Sequence, residues 1–199
     1  VTHRLLEAVT DIVSVEGASV WMWDEEQTDS LVCRDVFRRD HSVVLIGLRL
    51  ESGQGVAGWV AQTGKSAIVP YASEDPRFFS GIDELTGFHT VSLLTVPLRV
   101  RDKVIGALEV VNKLEGVFSV EDRSLVETLA ASAAVAIQNA RLVEALQSSN
   151  EELAAFGHTV AHDLRDSLHL VVGHAELLTT ERATMSDPEL DRCVQRIAK

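Results

Sequence analysis

The 199-residue sequence predicts an α+β fold: an antiparallel sheet flanked by helices, continuing into a long helix and a truncated helical hairpin. Three observations carry this expectation. Short apolar stretches bounded by turn signals recur between Ala18 and Val111. The last two of them, Val91 to Val100 and Val104 to Val111, flank the charged turn Arg101-Asp102-Lys103. From about Ser119 onward, apolar residues continue at helical spacing with no breaking signal. Strands followed by helices in this order suggest an antiparallel sheet covered by helices.

The elements follow in chain order. Leu5, Leu6, Val9, Ile12 and Val13 give the opening segment one apolar side, the mark of an amphipathic helix. Ala18 to Trp23 reads as a strand, Glu25 to Asp29 as a polar turn, and Leu31 to Phe37 as a second strand. Trp21 and Trp23 alternate with Val20 and Met22, so the two pairs face opposite sides of the sheet, and a core place suits the tryptophans better than ligand stacking. Val43 to Leu48 suggests another strand. The loop Glu51 to Gly55 opens a short helix, Val56 to Gln62, which Gly64 stops. Ser66 to Val69 is a strand ended by Pro70, and Tyr71 to Phe88 is a polar segment.

Bulk properties narrow the function. With 46% hydrophobic residues the chain can bury a substantial core. A net charge of −12, without a basic cluster, argues against a nucleic-acid or anionic-membrane surface. No apolar run reaches the roughly 20 residues that span a bilayer, and no signal-peptide pattern opens the chain. A cytoplasmic protein is expected, although a start inside a helix leaves room for preceding segments. Cys33 and Cys193 lie far apart without metal spacing and read as reduced thiols.

The stretch Gly53-Gln54-Gly55-Val56-Ala57-Gly58 with Trp59-Val60-Ala61 resembles the glycine-rich stretch of GAF domains. Asp75-Pro76-Arg77-Phe78, Asp83, Thr86-Gly87-Phe88 and Ser92 to Leu98 are similar to the subtype found in cyclic-nucleotide phosphodiesterases and bacterial adenylyl cyclases. Asn112, Lys113, Phe118 and Asp122 fit four of the five positions of that subtype's NKFDE signature; Arg123 stands at the fifth, where Glu is usual. The resemblance covers roughly residues 1–145 and implies a Lys113–Asp122 salt bridge clamping the sheet to the exit helix. It places a pocket between the sheet and the loops of Tyr71 to Phe88, with Phe79, Asp83, Thr86, Phe88, Thr90 and Ser92 as lining. Such a mixture suits an apolar ring with polar edges, a cyclic nucleotide among the candidates, while many domains of this look have no identified ligand. The region has no cysteine for a bilin, and haem would have to use His89 or His41. A GAF-type methionine sulfoxide reductase would need nearby cysteines, which Cys33 alone does not supply.

Farther on, Phe156 to Leu168 carries His162-Asp163-Leu164-Arg165 and resembles the H-box of sensor histidine kinases. Val143, Leu146, Leu153, Val160, Leu164, Val171 and Leu178 repeat every seven residues with Asn150 and Gly157 in the same seam, and Leu168, Val172, Ala175 and Leu177 widen the stripe toward a four-helix bundle. His162 falls off this seam, turned outward as a phosphoacceptor must be. Neutral imidazole is a competent nucleophile, and Asp163 is placed to accept a hydrogen bond from the second ring nitrogen and stabilise the charge that builds on attack. Arg165 is the basic residue usual at this spacing. Two positions depart from the pattern: Ser167 stands where Pro is usual, and Asp166 where Thr or Asn supports phosphatase activity. An ordinary solvent-facing histidine is the plain alternative. His158, His162 and His169 do not make a metal site, because the outer two are separated by about 16 Å along a helix.

The resemblance implies a GAF sensory domain over 1–143 and, over 144–199, a signalling helix with a truncated dimerisation and phosphoacceptor domain. Partners would be a second copy of the chain, a response regulator receiver domain and an ATP-binding catalytic domain of the parent chain. ATP would enter through that domain, and this stretch alone is expected to be inactive and without a cofactor. Ser186-Asp187-Pro188-Glu189 reads as the start of a second hairpin helix with Leu190, Val194 and Ile197 on its stripe. The alternative is a ligand-binding GAF module with a helical dimerisation stalk.

Overall fold

The computed structural model describes residues 2–24, 29–39 and 45–181, the stretch 174–181 by its backbone alone, together with Pro188, Arg192 and Arg196. Helix α1 (Thr2–Val13) leads into strands β1 (Val15–Trp23), β2 (Ser30–Arg38) and β3 (Arg49–Glu51). Helix α2 (Gly55–Thr63) and strand β4 (Ala67–Val69) follow, then a single 3-10 turn and the short helix α3 (Gly81–Thr86). Strands β5 (Leu93–Val100) and β6 (Lys103–Lys113) form a hairpin before the long helix α4 (Val120–Glu181). The strands make one sheet in the order β3-β2-β1-β6-β5-β4, antiparallel at every pairing. This is the α+β, GAF-type architecture expected.

Strand alternation builds a core on each side of the sheet. Val20, Met22, Leu108 and Val110 point to the side covered by α1 and by Val126, Ala130, Ala133 and Ala134 of α4. The alanines let α4 lie close to the strands. Trp21, Cys33, Val36, Leu93 and Ala107 face the other way and pack on Val56, Ala57, Val60 and Ala61 of α2. Each fully buried Val, Leu or Met contributes about 1.5–3 kcal/mol, so both faces are needed. Gly64 ends α2 in the left-handed conformation at φ 67°, its N–H bonded to the Val60 carbonyl.

Several expectations need correction. Val43 and Val44 lie outside the described residues, and Leu45 to Leu48 forms a turn through Gly47 at φ 87°; the strand begins only at Arg49. Val91 and Ser92 are not in the ladder, because the Asn112 side chain takes both their amides. Ile12 is exposed rather than part of the apolar side of α1. The polar segment contains a helix, α3, that buries no residue and so leaves no apolar periodicity to read. Most of the turn at Glu25 to Asp29, the second hairpin helix from Ser186, His41, Cys193 and the side chains of Ala175, Leu177 and Leu178 lie outside the described residues.

The chain divides into two compact units, Val1–Leu142 and Val143–Lys199. In the second, Val143, Leu146, Leu153, Leu164 and Val171 are each more than half exposed, and Val160 is 39% exposed.

Candidate functional site

In the first unit a small cavity lies against the sheet face that carries Ser19, Trp21, Val36 and Glu109. Register explains the grouping: Ser19 pairs with Val36 on one side and Glu109 on the other, so their side chains share a face. Helix α3 and the segment after it supply Ile82, Asp83, Thr86, Phe88 and Thr90. Four of the six residues expected to line a pocket are therefore brought together: Asp83, Thr86, Phe88 and Thr90. Phe79 is elsewhere, 39% exposed beside Gly55 and Gly81. Ser92 is buried, its hydroxyl accepting the Lys113 amide at 3.3 Å.

The expectation missed the sheet wall, above all Arg38, Ser19 and Glu109. A signal existed in Ala107-Leu108-Glu109-Val110-Val111, where one carboxylate interrupts an apolar strand. Its side of the sheet becomes meaningful only once the register is known.

Polar groups here are specifically arranged. Asp83 accepts from the Thr90 amide and hydroxyl, both at 2.7 Å. Thr95 donates its hydroxyl to Glu109 at 3.0 Å. Burial pushes Glu109 up to about 7; the Thr95 hydrogen bond opposes the shift and the charge of Asp83 reinforces it. The Arg38 guanidinium lies 4.0 Å from the centre of the Phe88 ring. The Trp21 indole donates to Ser19 at 2.9 Å, holding one edge of the aromatic wall. Nearby Cys33 is inert at neutral pH: burial, then the charge of Glu109, pushes its thiol up to about 12.

The four signature residues sit where the sheet meets the exit helix. Asn112, at φ 57°, accepts the Val91 and Ser92 amides through Oδ1 and donates through Nδ2 to Glu16 and the His89 carbonyl. Lys113 places its ammonium 2.6 Å from Asp122 and 2.8 Å from the Val13 carbonyl. Phe118 is buried beneath, and Ser119 and Asp122 exchange backbone-to-side-chain bonds as a cap on α4. Burial alone would raise the Asp122 carboxyl; Lys113 and Ser119 outweigh it and hold it below its ordinary range. Asp75 and Arg77 form a bidentate pair, and Arg77 covers the Trp59 ring at 4.6 Å.

In the second unit His162 is exposed on α4. The carboxylate nearest its Nδ1 belongs to Asp166, at 3.4 Å, one turn onward; Asp163 is 3.8 Å away. Ser167 bonds its hydroxyl back to the Asp163 carbonyl at 2.8 Å, and the helix runs on through the position where Pro is usual. Arg165, His158 and His169 are exposed on the same helix. Among the described residues no cluster of three His, Cys, Asp or Glu could hold a metal, and no helix is long and apolar enough to cross a membrane.

Comparison with known proteins agrees with the fold of the first unit. The chain is 34% identical over 157 residues to the probable 3',5'-cyclic phosphodiesterase pde-5 of Caenorhabditis elegans, an alignment covering 75% of this chain and 21% of that protein. It is 36% identical over 102 residues to the dual 3',5'-cyclic-AMP and -GMP phosphodiesterase 11 of Drosophila melanogaster, covering 50% of this chain and 7% of that protein. The chain thus spans about a fifth or less of the length of these curated relatives. Among solved structures, the GAF domain of an Acinetobacter phosphoenolpyruvate-protein phosphotransferase is 26% identical with a TM-score of 0.57, covering 70% of this chain and 81% of that one. The corresponding domain from Coxiella burnetii, 19% identical, has a TM-score of 0.62 over 71% and 82% of the two chains and shares the fold. With residues 1–137 matching the family model described as GAF domain, the chain belongs to the GAF domain family.

Proposed function

We propose that the first unit is a small-ligand sensor of a signalling protein and that its ligand is a cyclic nucleotide. The observation that carries this reading is the cavity between the sheet and α3, which combines an aromatic wall, Trp21 and Phe88, with Asp83, Thr86, Thr90 and Glu109. A purine presents a flat apolar ring with hydrogen-bonding edges, and carboxylates suit its N–H donors. The phosphodiesterases that are 34% and 36% identical over the aligned residues support the same ligand class. The cavity is about 50 Å³, well short of the roughly 300–1,000 Å³ of a ligand pocket, so binding requires α3 and the adjoining chain to move outward. Calorimetric titration with cyclic GMP and cyclic AMP is the test. Micromolar or tighter binding that Asp83→Ala weakens at least tenfold is expected; absence of binding to both overturns the reading.

A second reading concerns the second unit, and the exposed His162 with its two neighbouring carboxylates favours it. Here 144–199 is the start of a histidine kinase phosphoacceptor domain that pairs with a second copy along the exposed apolar row. ATP would come from a catalytic domain of the parent chain, and a receiver domain would take the phosphate. With the carboxylates beside Nδ1, Nε2 is the nitrogen left to attack. Supplied with that catalytic domain and ATP, the chain should be labelled with an acid-labile, base-stable phosphate that His162→Gln abolishes. Label persisting in the variant excludes His162.

A further inference from the structure

Two carboxylates face the cavity from different walls. Glu109 stands on the sheet and Asp83 on α3. Asp83 is held against its wall as the acceptor of the Thr90 amide and hydroxyl. Glu109 has the Thr95 hydroxyl as hydrogen-bond donor. Other titratable or charged groups on this face are Cys33, whose thiol stays neutral, and Arg38, stacked on Phe88; both come from β2. Ionising Glu109 therefore adds a negative charge to a cavity of about 50 Å³ that the Asp83 carboxylate also lines.

Helix α3 is the wall best able to respond. It has six residues, none fully buried and only Ile82 packed on the core beneath, and ends at Gly87 in the left-handed region at φ 69°. Elements with few buried contacts open at low cost in free energy.

We propose that Glu109, facing Asp83 across the cavity, is a proton-controlled latch on the pocket: protonated Glu109 lets α3 stay down, and its ionisation opposite Asp83 lifts it. Glu109 carries a carboxyl pushed up to about 7 when the wall is closed, chiefly by burial, and returns toward the ordinary 4.5 when water enters. The open form binds the proton more weakly, so rising pH favours opening between these values and has no further effect above about 7. The latch acts on the empty pocket and goes beyond the choice of ligand.

Hydrogen exchange on the ligand-free full chain tests it, with rates corrected for intrinsic pH dependence. The reporters are the amides of Glu84, Gly87 and Thr90, bonded to the Ser80 carbonyl, the Asp83 carbonyl and the Asp83 carboxylate. Their protection should fall by up to about tenfold per pH unit from pH 5 toward 7, then level off. In Glu109→Gln it should be flat. In Thr95→Val, which removes the bond favouring ionised Glu109, levelling should move to higher pH while β5–β6 amides keep their protection. A flat wild-type profile, or an undiminished slope in Glu109→Gln, overturns the proposal. If that variant does not fold, an unshifted profile in Thr95→Val overturns it instead.

Discussion

Asn112 accepts two amides and donates to two oxygens from a backbone conformation that side chains rarely adopt. Asparagine tolerates the left-handed region better than most residues, and this one also closes four hydrogen bonds around the turn. Next to it, Lys113 joins the end of α1 to the start of α4 through Val13 and Asp122. Asp122 and Glu109 act oppositely on stability. Asp122 is depressed when folded, so its contribution is present above the unfolded value near 3.8 and is lost as pH falls. Glu109 is raised, so stability declines as pH rises from about 4.5 to about 7. These two groups place maximum stability on the acidic side of neutrality, and thermal melts across pH 3 to 8 should show it. Glu109→Gln should flatten the upper limb and Asp122→Asn the lower. An unchanged upper limb in Glu109→Gln would show that Glu109 does not titrate in this window.

At the scale of elements, the central pairing of β1 with β6 depends on Gly106. A Cβ there would meet the Trp21 carbonyl oxygen at 2.0 Å and the Met22 Cα at 3.0 Å, both backbone atoms of the neighbouring strand. Gly106→Ala should cost more than about 3 kcal/mol or prevent folding, as urea titration or loss of soluble protein would reveal. Legibility in the sequence differed with the physics of each element. Strands β1, β2, β5 and β6 announced themselves by apolar runs between turn residues. Strand β3 was displaced because Gly47 turns the chain where Val43 to Leu48 looked extended. Helix α3 was silent because it buries no residue fully: Ile82 alone packs on the core, too little to make an apolar stripe. The pocket divided the same way. Its loop side, Asp83 to Thr90, was readable as a polar segment, whereas Ser19, Arg38 and Glu109 belong to three scattered stretches joined only by strand register.

For the whole molecule, the first unit encloses both cores, and every sheet partner lies within it. A chain ending near Val143 should therefore melt cooperatively and retain its pocket, as calorimetry and the hydrogen-exchange pattern can establish. An aggregating or molten product would place the boundary elsewhere. Among the described residues the second unit has no such enclosure. Its apolar row, Val143 through Val171, stands in solvent in the single chain, which suits a parallel pair of helices with Asn150 fixing their register. Sedimentation should give a dimer at micromolar concentration, and a monomer there would remove the basis for that seam.

Val15 at the start of β1 pairs with Lys113 at the end of β6. The polypeptide consequently enters and leaves the sheet side by side, at one end of its two central strands. A unit wired this way behaves as a cassette: it can be spliced into another chain through a single junction, without threading host segments around it. Whatever lies on either side of the junction receives two helices anchored to the same lysine. Exchange of such units among otherwise unrelated proteins requires compatibility only where α1 and α4 emerge, and leaves the strand pairing and both cores intact.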